Sequence, residues 1–285
     1  KKMDYPIYQN EIRLKKFENI IRKYNINYDF AYRLRALEGF EIVMIIDDST
    51  SMRTPIIDYD QEYISSFNQL PTRWDELKHI VSIIVDLAGT LDPVGIDIYF
   101  LNRQPLLHVI DSSQLHETFS RLPNGPTPIT RVLNYILNLK RSHIYERKLL
   151  ILIATDGLPT DDNGQNDLNS LEKVLLYERY PSIDRMYVTF IACTNDLQTV
   201  TCLNNFDKNI PYVDVLDDYQ SERMEVLNVQ GKHFPFSYGD YVVKLLLGSI
   251  DPWFDYLDEK KVKLTSLGRN QQENSSTHKI NCTIS

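Results

Sequence analysis

The chain has 285 residues, of which 42% are hydrophobic and 25% are charged, and this is the composition of a globular protein rather than of a disordered one. Its net charge of -8 offers no positive field that would attract nucleic acid or an anionic membrane. The longest apolar runs, at residues 80–85 and 149–154, are far shorter than the roughly 20 residues of a membrane-spanning helix, so we expect no membrane insertion.

The cysteines indicate a reducing compartment. Cys193, Cys202 and Cys282 are odd in number and form no CxxC pair, which argues against both a disulfide framework and a zinc site. The first residues are charged and do not resemble an apolar signal segment. We therefore expect a cytoplasmic, intracellular protein.

The first predicted elements lie before residue 90. Apolar residues recur at helical spacing over 11–37, which predicts an N-terminal helical extension covering residues 1–37. Residues 40–46 form a near-continuous apolar run, typical of a strand that is buried on both faces. Thr72 and Asp75 resemble a capping box at the start of a helix over 74–88.

Strand and helix patterns then alternate along the chain. The predicted strands are 96–101, 106–110, 149–154, 186–192 and 212–215, and the predicted helices are 113–121, 129–139, 168–177, 196–205 and 241–247. This alternation predicts an α/β fold, with a mainly parallel sheet that is covered by helices on both faces. No Pro, Gly or Ser linker interrupts it, so we expect one domain at 38–250. The C-terminal extension, 251–285, is polar, and we expect it to be mobile after about residue 258.

Polar residues follow the predicted strands at the positions where open α/β sheets bind ligands. Asp47, Ser49 and Ser51 follow the first strand, and Asp156 follows the strand at 149–154 within the triplet Thr-Asp-Gly. Thr127 lies in a turn before the helix at 129–139. Carboxylate and hydroxyl oxygens without nearby His or Cys suit a hard cation such as Mg²⁺ or Mn²⁺. Asp47, Ser49 and Ser51 can converge on one point, and Mg²⁺ would keep open positions for a partner.

These motifs, in this order and on these elements, resemble the metal-ion-dependent adhesion site (MIDAS) of a von Willebrand factor A (vWA) domain. The resemblance covers about residues 38–247, and flanking phrases such as 72–77 look like an intracellular eukaryotic branch of that family. It implies a Rossmann-like vWA fold with a six-strand sheet and a divalent cation that is held directly by Ser49, Ser51 and, in one state, Thr127. Asp47 and Asp156 would act largely through bound waters. An Asp or Glu of a protein partner would fill the open position, and the family binds rather than catalyses.

Other interpretations of the same residues remain open. Asp47, Ser49 and Ser51 are also typical of turns and helix caps, and Thr127 is a possible N-cap. Asp48 is expected to be solvated or to act indirectly, so we leave it out of the ligand set. The loop over 53–71 is long for a strand-to-helix connection, which would allow it to cover or extend the site.

The leading functional hypothesis is a non-catalytic, cation-dependent protein interaction module. A second is a Mg²⁺-dependent phosphotransferase or phosphatase with Asp47 or Asp48 as nucleophile, although the sequence has no Gly-rich phosphate loop. A third is a scaffold whose metal site is vestigial. No catalytic residue and no organic cofactor are predicted, and the oligomeric state is left open.

Overall fold

A computed structural model describes residues 5–56 and 70–265. The chain forms two compact units, one made of residues 38–220 and the other of residues 1–37 together with 221–285. The domain boundaries predicted from the sequence, after residues 37 and 250, stay a prediction. Most of the loop predicted at 53–71, and the chain after residue 265, lie outside the described residues.

The first unit is built on a six-stranded sheet. Its strands are β1 (Phe40–Ile46), β2 (Ile96–Phe100), β3 (Leu106–Val109), β4 (Lys148–Thr155), β5 (Met186–Ala192) and β6 (Val213–Leu216). Their order across the sheet is β3-β2-β1-β4-β5-β6. The pairing of β2 with β3 is antiparallel, and the other neighbouring strands pair in parallel. The prediction of an α/β fold with a mainly parallel sheet is confirmed.

The central strands are apolar because helices flank the sheet. Every residue of β5 is buried, as is every residue of β4 after Lys148, so alternation between apolar and polar residues is absent there. Among the residues that the structure describes, the α-helices that lie wholly in this unit are α3 (Arg73–Leu91), α4 (His116–Ser120), α5 (Ile129–Lys140), α6 (Leu168–Lys173) and α7 (Leu197–Asn209). Val132, Leu133 and Ile136 of α5 pack with the strands in one continuous core.

The predicted capping box fixes the start of α3. The Thr72 side chain accepts a hydrogen bond from the Asp75 amide at 3.2 Å, and the Asp75 carboxylate accepts one from the Thr72 amide at 2.9 Å. Two of the amides that a helix start leaves unpaired are thereby satisfied. The helix begins at Arg73, one residue earlier than predicted, and this places the Arg73 side chain on its first turn.

A buried arginine links the first residue of β5 to the segments of chain that precede β5 and β6. Arg179 is fully buried, and its guanidinium donates to the carbonyl oxygens of Leu175, Met186 and Pro211 at 2.7 to 2.9 Å. Burial lowers the pKa of Arg179 to about 10, so the side chain stays charged at neutral pH. Charge-assisted bonds of this kind tie the turn before β5 to the turn before β6.

The second unit contains α1 (Tyr5–Lys23), α2 (Tyr28–Arg33), α9 (Tyr238–Leu247), α10 (Tyr256–Glu259) and most of α8 (Tyr219–Gln230). Buried Asp240 accepts hydrogen bonds from the amides of Asn27, at 2.6 Å, and Ser237, at 2.9 Å. A Cβ atom at Gly239 would lie 2.3 Å from the Tyr24 carbonyl oxygen, so α9 can approach the N-terminal helices only with glycine there. In neither unit is a described helix both long and apolar enough to span a bilayer.

Candidate metal centre

The candidate site lies where the order of the strands changes direction. From β1 the chain order runs through β2 and β3 toward one edge of the sheet, and from β4 it runs through β5 and β6 toward the other. Ile46 is paired with Ala154, so the residues that follow β1 and end β4 lie side by side. The Asp47 amide donates to the Ala154 carbonyl at 2.9 Å. Such a switch point is the usual ligand crevice of an open parallel sheet.

Asp47 lies at the base of this crevice. Its side chain is fully buried, with one carboxylate oxygen accepting from the Ser49 amide at 2.9 Å and the other from the Thr155 hydroxyl at 2.7 Å. Burial, the largest cause, and the nearby charge of Asp156 together raise the pKa of Asp47 to about 6, against the opposing effect of the bonds from Ser49 and Thr155. Asp47 therefore orders the turn that carries the two serines.

Ser49, Ser51 and Asp156 present a row of oxygen atoms above Asp47. The hydroxyls of Ser49 and Ser51 are 3.0 Å apart, and the Ser51 hydroxyl donates to Asp156 Oδ1 at 2.7 Å. Ser49 and Asp156 are buried, while Ser51 is exposed, so the row opens to solvent at one end. Adjacent ligands of an octahedral Mg²⁺ at about 2.1 Å are about 3.0 Å from each other. The donor set thus fits Mg²⁺ or Mn²⁺ in both spacing and chemistry.

Thr127 lies apart from that row in the hydrogen-bond network. It is buried, its amide donates to the Thr160 hydroxyl at 3.1 Å, and its carbonyl accepts from the Thr160 amide at 2.9 Å. Among the described residues, no hydrogen bond joins Thr127 to Asp47, Ser49, Ser51 or Asp156. The alternative in which Thr127 is an N-cap is wrong, because Pro128 occupies that position and α5 has no side-chain cap.

The turn that carries Thr127 is nevertheless attached to the loop after β1. The Thr50 amide donates to the Gly125 carbonyl at 3.2 Å, and the Asn124 amide donates to the Asp48 carbonyl at 2.7 Å. Gly125 has a φ of 129°, a backbone conformation that other residues rarely adopt, and a Cβ atom there would lie 2.4 Å from the side-chain oxygen of Asn102, which follows β2. Glycine therefore suits the backbone of this turn.

Asp48 is an ion-pair partner inside the protein. Its side chain is fully buried, Arg103 Nε lies 2.6 Å from Oδ2, and the Asn102 amide donates to Oδ1 at 2.8 Å. Of the two expectations for Asp48, solvation is wrong, because the pairing of β1 with β2 brings the residues after β2 against it. Its indirect action, and its omission from the ligand set, stay predictions.

Arg73 is the residue of the site that the sequence analysis missed. One guanidinium nitrogen lies 2.8 Å from Asp156 Oδ2, and another donates to the Thr194 hydroxyl at 3.0 Å. A cation on the first turn of a helix opposes the helix dipole, so its position directly after the Thr72 cap was a signal in the sequence. The Asp156 carboxylate therefore faces Ser51 with one oxygen and a positive charge with the other.

Beside Arg73 lies a cavity of about 230 Å³, which we call the Glu76 cavity and which is wholly contained in the sheet-bearing unit. The residues that line it include Thr54, Ile56, Arg73, Glu76, Thr194 and Asp218. Glu76 is only 5% exposed, and its Oε1 atom has no hydrogen-bond partner within the described part of the chain. Burial raises the pKa of Glu76 to about 8, and the charge of Asp218 acts in the same direction.

Another group of carboxylates, in the second unit, is already balanced by a lysine. Glu222, Glu225 and Asp258 offer oxygens within 4.8 Å of one another. The buried ammonium of Lys244 lies 2.6 Å from both Glu222 and Asp258. The lysine supplies the cation that this acidic group needs, so we do not assign a metal site to it.

Comparison of the chain with protein-family models finds no match, and comparison with curated proteins finds no match either. The case for a family and a function therefore rests on the motifs and on the geometry of the switch point.

The buried carboxyl of Glu76 predicts a specific pH dependence of stability. The unfolded chain releases this proton near the ordinary pKa of 4.5, whereas the folded chain holds it up to about pH 8. The contribution of the neutral carboxyl to the free energy of unfolding is therefore intact below pH 4.5 and is lost progressively as the pH rises from 4.5 to about 8. Glu76→Gln keeps the shape of the neutral form, so we expect its stability relative to the parent to increase over this range and to reach a gain of a few kcal/mol near pH 8.

Urea unfolding of the parent and of Glu76→Gln at several pH values measures the difference between their free energies of unfolding. The other buried carboxyl groups are the same in both proteins, so their pH effects cancel. Glu117→Gln is the matched control, because Glu117 is exposed and pairs with Arg121 on the surface. Equal pH profiles for the two variants would show that Glu76 is not held protonated.

Proposed function

We propose that the chain is a vWA domain that binds a protein partner, without catalysis, through Mg²⁺ or Mn²⁺ at the switch point. Ser49 and Ser51 hold the ion directly in this proposal, Asp47 and Asp156 support it, and Thr127 joins in one state of the site. The observation that carries the proposal is the row of oxygens from Ser49 through Ser51 to Asp156, at the adjacent ends of β1 and β4.

The ligand chemistry supports an acidic partner. The two serine hydroxyls are neutral, so they leave the charge of a bound cation largely unbalanced toward solvent. Such an ion supplies electrostatic attraction for a carboxylate in an open coordination position. An Asp or Glu side chain of a protein is the most accessible group of this kind, and exposed Ser51 marks the side from which it would approach.

The environment of Asp47 and Asp48 supports binding over phosphoryl transfer. Both side chains are fully buried, and each carboxylate oxygen accepts at least one hydrogen bond or ion-pair contact. A nucleophilic carboxylate needs an accessible oxygen that can reach phosphorus. In this structure both aspartates instead shape the loops that carry the candidate ligands.

A scaffold with a vestigial metal site is the second candidate, and Arg73 is the observation that favours it. The Arg73 guanidinium already lies 2.8 Å from Asp156 and balances its charge without a metal ion. Metal titration separates the two candidates, because only the first requires a divalent cation.

The first test is metal binding by Asp156→Ala. We expect calorimetric titration with Mg²⁺ or Mn²⁺ to show binding by the parent and a loss of at least about tenfold in affinity for the variant, since a supporting carboxylate is removed. Asp162→Ala is the matched control, because Asp162 also pairs with an arginine, Arg131, but on the exposed surface. Unchanged affinity in Asp156→Ala, with circular dichroism confirming the fold, would remove Asp156 from the site.

The second test concerns the positive charge of Arg73. Because a cation beside the site disfavours a second cation, we expect Arg73→Gln to bind Mn²⁺ more tightly, by several-fold to about tenfold. Calorimetry at two salt concentrations would also show that the gain shrinks as salt screens the charge. A weaker affinity in Arg73→Gln would show that Arg73 supports the metal ligands rather than opposing the ion.

The third test measures capture of a carboxylate. In Mn²⁺-loaded protein, Nα-acetyl-glutamate methylamide is expected to displace water from the ion and to lower the water-proton relaxation rate. The glutamine analogue, which lacks the charge, is expected to leave that rate unchanged. Replacing both Ser49 and Ser51 by Ala should abolish the effect, whereas replacing both Ser112 and Ser113 by Ala should not. An equal response to the two probes would contradict recognition of an acidic residue.

A further inference from the structure

The Glu76 cavity has properties that the metal site does not explain. Glu76 is 5% exposed, lines the cavity, and leaves Oε1 without a hydrogen-bond partner among the residues described. A buried polar atom without a partner costs free energy, and native proteins rarely keep one without a role. A hydrogen-bond donor brought by a ligand would remove that cost.

The charges around the cavity identify the kind of donor. Glu76 and Asp218 line it with two carboxyl groups, while Arg73, the one cationic side chain among its described lining residues, is already engaged by Asp156 and Thr194. Asp218 is close enough to Glu76 to disfavour its ionisation. A positively charged donor would interact favourably with the Asp218 carboxylate and would favour ionisation of Glu76, whereas an anionic ligand would meet Asp218 as a like charge.

The size of the cavity limits the ligand further. Its volume of about 230 Å³ is below the roughly 300–1,000 Å³ of sites for drug-sized molecules and cofactors. Thr54 and Ile56 add aliphatic surface to the walls, which suits an alkyl chain that carries a charged end. A single amine-bearing side chain matches both the volume and the mixed lining.

We propose that the Glu76 cavity binds a primary ammonium group on an alkyl stem, and specifically a lysine side chain of a protein partner. Glu76, whose ionised form a bound ammonium would stabilise, accepts from that ammonium, and Asp218 adds negative charge near it. Arg73 lines this cavity and forms an ion pair with Asp156. The identity of the partner rests on the proposed function: the protein whose lysine enters the cavity is the one whose acidic residue binds the metal ion.

The test uses NMR titration of the whole chain with three small probes at pH 8. Nα-acetyl-lysine methylamide and n-butylammonium both carry the ammonium group, and Nα-acetyl-norleucine methylamide has a similar length without the charge. We expect saturable shifts of the amide signals of Arg73, Glu76, Thr194 and Asp218 with the lysine probe and no saturation with the norleucine probe. Glu76→Gln should weaken the lysine probe at least about tenfold, and Glu117→Gln should not.

Each contrary outcome has a defined meaning. Equal binding of the lysine and norleucine probes, or equal affinity in Glu76→Gln, would overturn the proposal. Binding of n-butylammonium alone would overturn the assignment to a lysine side chain and point to a free amine. The probes carry no carboxylate, and the titration is run in chelator as well as in Mg²⁺. If the proposed metal site is wrong, only the calorimetric metal titration therefore gives a negative result. If the proposed lysine site is wrong, only this NMR titration does.

Discussion

The parallel pairing of β1 with β4 is the constraint on which the candidate site depends. Because Ile46 faces Ala154 in the register, Asp47 has to lie beside Thr155 and Asp156. The Thr155 hydroxyl then donates to Asp47 at 2.7 Å, and Ser51 reaches Asp156 at the same distance. A shift of one residue in this pairing would separate those groups and leave buried carboxylates without donors, which is costly. The fold and the oxygen row are therefore specified by the same strand register.

Buried carboxyl groups are the second organising feature of this end of the sheet. Asp47, Asp48, Asp156 and Glu76 are each at most 5% exposed, yet they differ in their partners. Asp48 pairs with Arg103 and Asp156 with Arg73, whereas Asp47 has only hydrogen-bond donors and Glu76 retains an unpartnered oxygen. Burial raises the pKa of Glu76 to about 8 and that of Asp47 to about 6. The two carboxyl groups without an arginine lie at the two places where we propose that a cation binds.

Local patterns in the sequence predicted most of the fold, because each depends on neighbouring residues. The apolar run at 40–46, the Thr72 capping box and the alternation of strand and helix are all found in the structure. The positions of Asp47, Ser49, Ser51 and Asp156 at strand ends were predictable for the same reason. The partners of Asp48 and Asp156 were not, because Arg103 and Arg73 are 55 and 83 residues away in the chain. Such pairs appear only once the strand order is known.

Asp156 connects the two proposed binding events through its two carboxylate oxygens. Oδ1 accepts from Ser51 on the side of the metal ligands, and Oδ2 lies against Arg73, which also lines the Glu76 cavity. If both proposals hold, a cation would bind beside Ser51 and an ammonium would bind in the cavity that Arg73 lines. Two such sites would select a ligand that carries both a carboxylate and an ammonium. Discrimination would then come from the cost of leaving either site unmatched, because a partner with only one of the two groups would leave a charge or a polar atom without its counterpart.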